Sequence, residues 1–242
     1  MHLKQTKIKI INFIKTQAGD KPVVLGLSGG LDSSVVAYLA VEALGTDKVH
    51  GIIMPSNTNT KEDFELANLV CKNLNITPIT YHLSPIIDGY KKVLNLKDKK
   101  VLGNIKARIR MTILYSKANE INGLVLGTGN KTEIMTGYST KHGDAGCDIL
   151  PIGDLYKTEE RELAKIIGVP EEIISRPPTA GLWEGQTDEE ELGITYENLD
   201  KILKALEDNE NLDNFDKNEI ELVQNLIKNS EHKRHLPPIC KL

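Results

Sequence analysis

At 242 residues, with 40% hydrophobic and 26% charged side chains, the chain has the make-up of a soluble globular protein with room for a substantial core, which excludes a disordered or fibrous one. A net charge of −4 gives no general pull toward nucleic acid, and no run reaches the roughly 20 apolar residues of a membrane-spanning helix, so neither a nucleic acid nor a membrane is an expected partner. The cysteines Cys71, Cys147 and Cys240 lie far apart with no C-x-x-C spacing, which argues against a disulfide framework or a cysteine zinc site and makes a reducing cytoplasm the expected location.

In chain order, the N-terminal stretch carries Ile8, Ile11, Phe13 and Ile14 interrupted by lysines, the pattern of an amphipathic helix rather than a signal peptide. Apolar runs at Val23 to Leu27, Val49 to Met54, Ile76 to Leu83 and Leu124 to Leu126, with a weaker one at Ile149 to Ile152, are continuous rather than alternating and predict strands covered on both faces. Between them, Val35 to Leu44 and Phe64 to Leu74 show helical periodicity. Beyond Lys157 the pattern is helical around Glu159 to Ile167, Tyr196 to Leu206 and Ile220 to Ile227. The polar, acidic, glycine-containing stretch from Pro177 to Gly193 is expected to be a mobile loop. Strand and helix in alternation predict an α/β fold, a doubly wound parallel sheet with helices on both faces, in which ligands bind at the carboxyl ends of the strands. The whole chain, 1–242, reads as one domain.

The strongest local signal is Gly26-Leu27-Ser28-Gly29-Gly30-Leu31-Asp32-Ser33-Ser34, which follows an apolar strand and opens a helix. Glycines allow close backbone approach, and the free N–H groups and serine hydroxyls can donate to phosphate oxygens. Asp32 would repel a polyphosphate unless a Mg²⁺ ion bridges the two. The string is neither a G-x-x-x-x-G-K-[ST] loop nor a G-x-G-x-x-G fingerprint, which argues against kinase-like or dinucleotide-redox chemistry.

This S-G-G-x-D-S string is similar to the signature of the ATP pyrophosphatase family, whose adenine nucleotide alpha hydrolase-like members cleave ATP between the α and β phosphates. Downstream, Asn104-Ile105-Lys106-Ala107-Arg108-Ile109-Arg110-Met111, Gly127 to Glu133, Thr136 to Gly146, Pro177-Pro178-Thr179-Ala180, Glu191-Leu192-Gly193 and Glu231-His232-Lys233-Arg234 follow in that order. Together they resemble the ammonia-dependent NAD synthetases over nearly the whole chain. The resemblance implies ATP as co-substrate, bound by the loop with Thr128, Lys157 and Thr179, and Mg²⁺ held by Asp32 and Glu133. It also implies deamido-NAD on Arg108, Lys141, Asp148, His232 and Lys233, and a homodimer. A lysine such as Lys157 suits a departing pyrophosphate, and Asp144 is the candidate for orienting or deprotonating the incoming nitrogen. Rival readings are another adenylating member of the ATP pyrophosphatase family, or a nucleotide sensor without turnover. Tyr138 suits either a ring-stacking or a packing role, and Cys147 reads as a small packed residue.

Overall fold

The computed structural model describes residues 2–183 and 185–241. Helix α1 (Leu3–Ala18) is followed by β1 (Val23–Gly26), α2 (Leu31–Leu44), β2 (Val49–Ile53), α3 (Lys61–Asn73) and β3 (Ile79–Thr80). Helices α4 (Ser84–Leu94) and α5 (Lys99–Glu120) lead to β4 (Leu124–Val125) and α6 (Lys131–Thr136). The remaining helices are α7 (Lys157–Ile167), α8 (Glu171–Ile174), α9 (Asp188–Leu192), α10 (Tyr196–Glu207) and α11 (Lys217–Ser230).

All four strands run parallel in the order β3-β2-β1-β4. The run at Ile149 joins the far edge through a single parallel bridge to Leu126. The order reverses direction at β1 and β4, so the crevice beyond their carboxyl ends is the switch point at which doubly wound sheets bind ligands. The residue after β1 opens the glycine-serine loop there, and the residues after β4 lead to Thr128.

Strand pleating divides the core. Val23, Leu25 and Leu27 face one layer with Ile14 of α1, Leu39 of α2, Val70 of α3 and Leu163 of α7. Val24, Ile52 and Val125 face the other, against Ile87 of α4 and Leu114 of α5. A third cluster, built on Leu199, Ile202 and Val223, joins α10 and α11 beside α6. Both sheet faces are thus covered, which explains why the strand sequences are largely apolar, with His50 in β2 and Thr80 in edge strand β3 as the polar positions.

Two expectations are revised. The apolar run Ile76 to Leu83 is extended only at Ile79–Thr80, because Ile76 N–H still closes the end of α3 on the Cys71 carbonyl and Leu83 N–H bonds the Pro55 carbonyl. The stretch from Pro177 to Gly193 contains helix α9 and is tied down at several points described below; residue 184 within it lies outside the described residues.

Candidate active site

The loop after β1 is pre-set by its own hydrogen bonds. Gly30 N–H donates to Ser28 Oγ at 3.1 Å, Ser28 N–H to Ser33 Oγ at 3.3 Å, and Ser34 Oγ–H to the Gly30 carbonyl at 2.7 Å. Gly29 holds φ +81°, and a Cβ there would collide with the Asp63 carbonyl of α3. No side chain caps the N-terminus of α2, so its first N–H groups remain available to an anion.

Asp32, in the first turn of α2, meets Lys157 at the start of α7. The ammonium lies 2.6 Å from both carboxylate oxygens, and Asn130 Nδ2 donates to Oδ1 at 2.8 Å. Burial alone would raise the Asp32 pKa, yet the Lys157 charge and these hydrogen bonds hold it below the usual carboxylate value. Lys157 is only 2% exposed, whereas Asp32 keeps 24% of its side chain open.

Two more carboxyls crowd the same ammonium. Burial first, and then the Asp32 charge, push Glu133 well above the ordinary value of 4.5. Burial and the same charge do likewise for Glu160, whose Oε2 lies 3.7 Å from Lys157 Nζ. Neither oxygen of Glu160 finds a hydrogen-bond partner among the described residues, and burial favours its neutral form. Asp32 and Glu133 are carboxyls of the kind that coordinate a divalent cation, and a cation beside them would favour the ionised form of Glu133.

Backbone ends fix these groups. Asn130 caps α6 in a reciprocal box, receiving the Glu133 N–H at 3.0 Å while Glu133 Oε2 receives the Asn130 N–H at 3.2 Å. Asp200, only 2% exposed on α10, accepts Thr132 Oγ1–H at 2.5 Å and Thr158 N–H at 2.8 Å, and Lys157 N–H donates to Thr132 Oγ1 at 3.0 Å. Asp200 thus locks the N-terminus of α7 to α6, and with it Lys157 to Glu133.

The glycine-serine loop, Asp32, Glu133 and Lys157 line a cavity of about 680 Å³. Over it, Lys106 donates to Thr58 Oγ1 at 3.0 Å and to the Leu182 carbonyl at 2.8 Å, joining two loops. Burial, then repulsion from Arg110 and Lys91, lowers the Lys106 pKa to about 8. Buried Asp188 accepts Ala180 N–H at 3.0 Å and the Tyr196 hydroxyl at 3.1 Å, and the Tyr138 hydroxyl lies 3.0 Å from both Asp188 and Glu191. These bonds hold the segment around Thr179 against the cavity. Asp144 also lines it, accepting Thr140 N–H at 3.0 Å; burial raises its pKa.

The sequence-derived residues divide into two sets. Gly26, Leu27, Ser28, Gly30, Leu31, Asp32, Ser33, Thr128, Glu133, Asp144, Lys157, Thr179 and Lys233 all line the cavity. Gly29 and Ser34 shape the loop from behind. Arg108, Lys141, Asp148 and His232 do not line it. Arg108 Nε donates to the Lys141 carbonyl and Lys141 Nζ to the His232 carbonyl, making a chain outside it. Asp148 accepts Val125 N–H at 2.7 Å and the Tyr115 hydroxyl at 3.1 Å, beside β4. Lys233 donates to the Gly137 and Ser139 carbonyls, each at 2.7 Å. Cys147 packs against Gly127, and burial pushes its thiol up to about 11, the behaviour of an inert core residue.

Asn130, Glu160, Asp188 and Asp200 escaped the sequence reading. Asn130 had a usable signal, since N-x-x-E before a helix marks a capping box. Asp188 and Glu160 sit inside the acidic runs Asp188-Glu189-Glu190-Glu191 and Glu159-Glu160, which from sequence look like solvated faces.

The family model described as NAD synthase matches residues 4–237. An NH(3)-dependent NAD(+) synthetase from Methanocaldococcus jannaschii is 53% identical, the match covering 95% of this chain and 94% of the relative. Among solved structures, an NMN synthetase from Francisella tularensis is similar with a TM-score of 0.90 and 33% identity. An NH3-dependent NAD synthetase from Campylobacter jejuni, in complex with the nitrate ion, gives a TM-score of 0.86 and 34% identity. Both structural matches cover 100% of each chain.

Proposed function

Because the chain belongs to the NAD synthase family, we propose that it is a ligase that amidates deamido-NAD with ammonia at the expense of ATP, releasing NAD, AMP and pyrophosphate. The observation that carries this reading is the meeting of the glycine-serine loop, Asp32, Glu133, Lys157 and Thr179 in one cavity at the switch point of the sheet.

In the first step a carboxylate oxygen of the nicotinate attacks the α-phosphorus, and the bond to the β-phosphate breaks with its electron pair leaving on pyrophosphate. The loop N–H groups donate to the phosphates, and Lys157 turns from Asp32 toward the charge that develops on the leaving group. Asp32 and Glu133 would hold a magnesium ion, which when bound screens the phosphate charge. In the second step the ammonia lone pair attacks the activated acyl carbon, AMP leaves with the electron pair of its bond, and Asp144 takes a proton from nitrogen. The raised Asp144 pKa favours that role, because a more basic carboxylate is a better proton acceptor.

Arg108, Lys141, Asp148, His232 and Lys233 form the dinucleotide side of this reading, and the similarity to the relatives named above supports it. We further read the chain as a single domain acting as a cytoplasmic homodimer. Its three cysteines are free, and no described helix is long and apolar enough to cross a membrane.

The similarity to an NMN synthetase favours one alternative substrate, the mononucleotide acid, amidated by the same chemistry. Initial rates of AMP and pyrophosphate release with ATP, ammonium and either acid decide between them. A higher kcat/KM for the dinucleotide supports the main reading. Preference for the mononucleotide replaces it, and no AMP with either acid refutes both.

A further inference from the structure

The chain has five arginines, and four of them spend guanidinium donors on the protein. Arg108 bonds the Lys141 carbonyl, Arg110 the Met54 carbonyl, Arg176 the Asp63 carboxylate and Arg234 the Met135 carbonyl. Arg161 is different. Its Nε is buried with no hydrogen-bond partner among the described residues, although a buried charged donor without an acceptor is costly.

Its position explains what could repay that cost. Arg161 stands one helical turn after Lys157 on α7, so the two side chains share a face, and both line the main cavity. Arg161 also forms part of the wall shared with a second cavity of about 380 Å³, next to Lys165 and Arg176. A guanidinium there offers a planar fork suited to two phosphate oxygens at once, which a lysine cannot match.

Building on the ATP-splitting reading above, we propose that Arg161 is a further catalytic residue, which binds the β and γ phosphates of ATP and then the pyrophosphate they become. Lys157 meets the phosphates from the Asp32 side and Arg161 from the side of the second cavity.

The test is calorimetry of the full-length protein with magnesium pyrophosphate as the probe, alongside steady-state kinetics. Arg161→Met keeps the length of the stem without the charge, and Arg161→Lys keeps the charge without the fork. Arg161→Met should weaken pyrophosphate binding by roughly tenfold to a hundredfold, with Arg161→Lys between it and the parent. In both variants KM for ATP should rise, product inhibition by pyrophosphate should weaken, and affinity for the nicotinate dinucleotide should stay unchanged. If the parent binds pyrophosphate and Arg161→Met binds it equally well, the assignment is overturned while the ATP reading stands. A parent protein that binds no magnesium pyrophosphate overturns both. Should Arg161→Met not fold, a pyrophosphate affinity in Arg161→Lys equal to the parent overturns the role of the fork, and a loss supports it.

Discussion

The residues proposed for the phosphates and those proposed for the dinucleotide are held in opposite ways. On the phosphate side, the charged side chains are anchored at helix starts: Asp32 opens α2, Glu133 sits in the first turn of α6, and Lys157 begins α7. Each is held by at least one further hydrogen bond, and Lys157 and Glu160 are almost wholly buried. On the other side, Arg108 and Lys141 reach to carbonyl oxygens outside the cavity, Arg108 exposed and Lys141 half-buried. Rigid placement suits a step in which charge develops at fixed atoms. A loose rim suits recognition of a large ligand that must enter and leave.

The contrast is broken most severely by removing the central cation. Lys157→Met should lower kcat/KM by roughly a thousandfold, the scale of losing one charge-stabilising donor in a dry site. Calorimetry should find dinucleotide affinity preserved in the same variant. A parallel loss of both would mean that the two sides are not independent.

Next in size is Asp200→Asn, which lies outside the cavity lining yet removes the charge and one of the two carboxylate oxygens that separately accept from Thr132 and Thr158. Urea unfolding should show a loss of about 2–3 kcal/mol, the scale of charge-assisted buried hydrogen bonds. The remaining folded enzyme should show reduced kcat with little change in KM for the dinucleotide. Unchanged stability would show that the lock between α6 and α7 lies elsewhere.

The third expectation concerns pH. Glu133 and Glu160 have folded pKa values raised by burial and by the Asp32 charge, so they hold protons more tightly folded than unfolded. The stabilisation from such groups is complete below the ordinary value of 4.5 and is lost as pH rises through the folded values. Without metal, the melting temperature should therefore fall on the alkaline side. Magnesium with ATP should raise it more on the alkaline side than on the acid side, since ionised Glu133 then has a partner. An equal increment on both sides would remove Glu133 from the metal site.

The smallest effect is expected at the rim. Lys141→Ala should weaken dinucleotide binding by about 1 kcal/mol or less, more so at low salt than at high, with KM for ATP unaffected. A loss of more than tenfold would mean that the rim closes tightly over the ligand.

The same division explains what the sequence made legible. The phosphate side is local: a strand, a loop with Gly29 at positive φ and a helix start occupy consecutive residues, so composition and order reveal them together. The sheet was legible for the related reason that strands buried on both faces read as unbroken apolar runs. Helices α4 and α5 were less so, since the long α5 mixes basic and apolar residues around much of its circumference. Asp188 and Asp200 act through partners 8 to 68 residues away, as Asp188 with Tyr138 and Asp200 with Thr132 illustrate, and Glu160 acts through burial beside Lys157. Such roles leave no local pattern, because a buried acid and a solvated one are the same letter.

The bidentate grip of Lys157 on Asp32 makes the resting site its own placeholder. Each residue occupies the charge that a substrate component would otherwise claim: the ammonium stands in for the cation that Asp32 would bind, and the carboxylate stands in for the phosphate that Lys157 would bind. On the reading proposed above, a cation arriving alone would have to push the ammonium from Asp32 toward Glu160, and a nucleotide arriving alone would leave Asp32 facing phosphate unscreened, so the pair would favour the metal-nucleotide complex over either part.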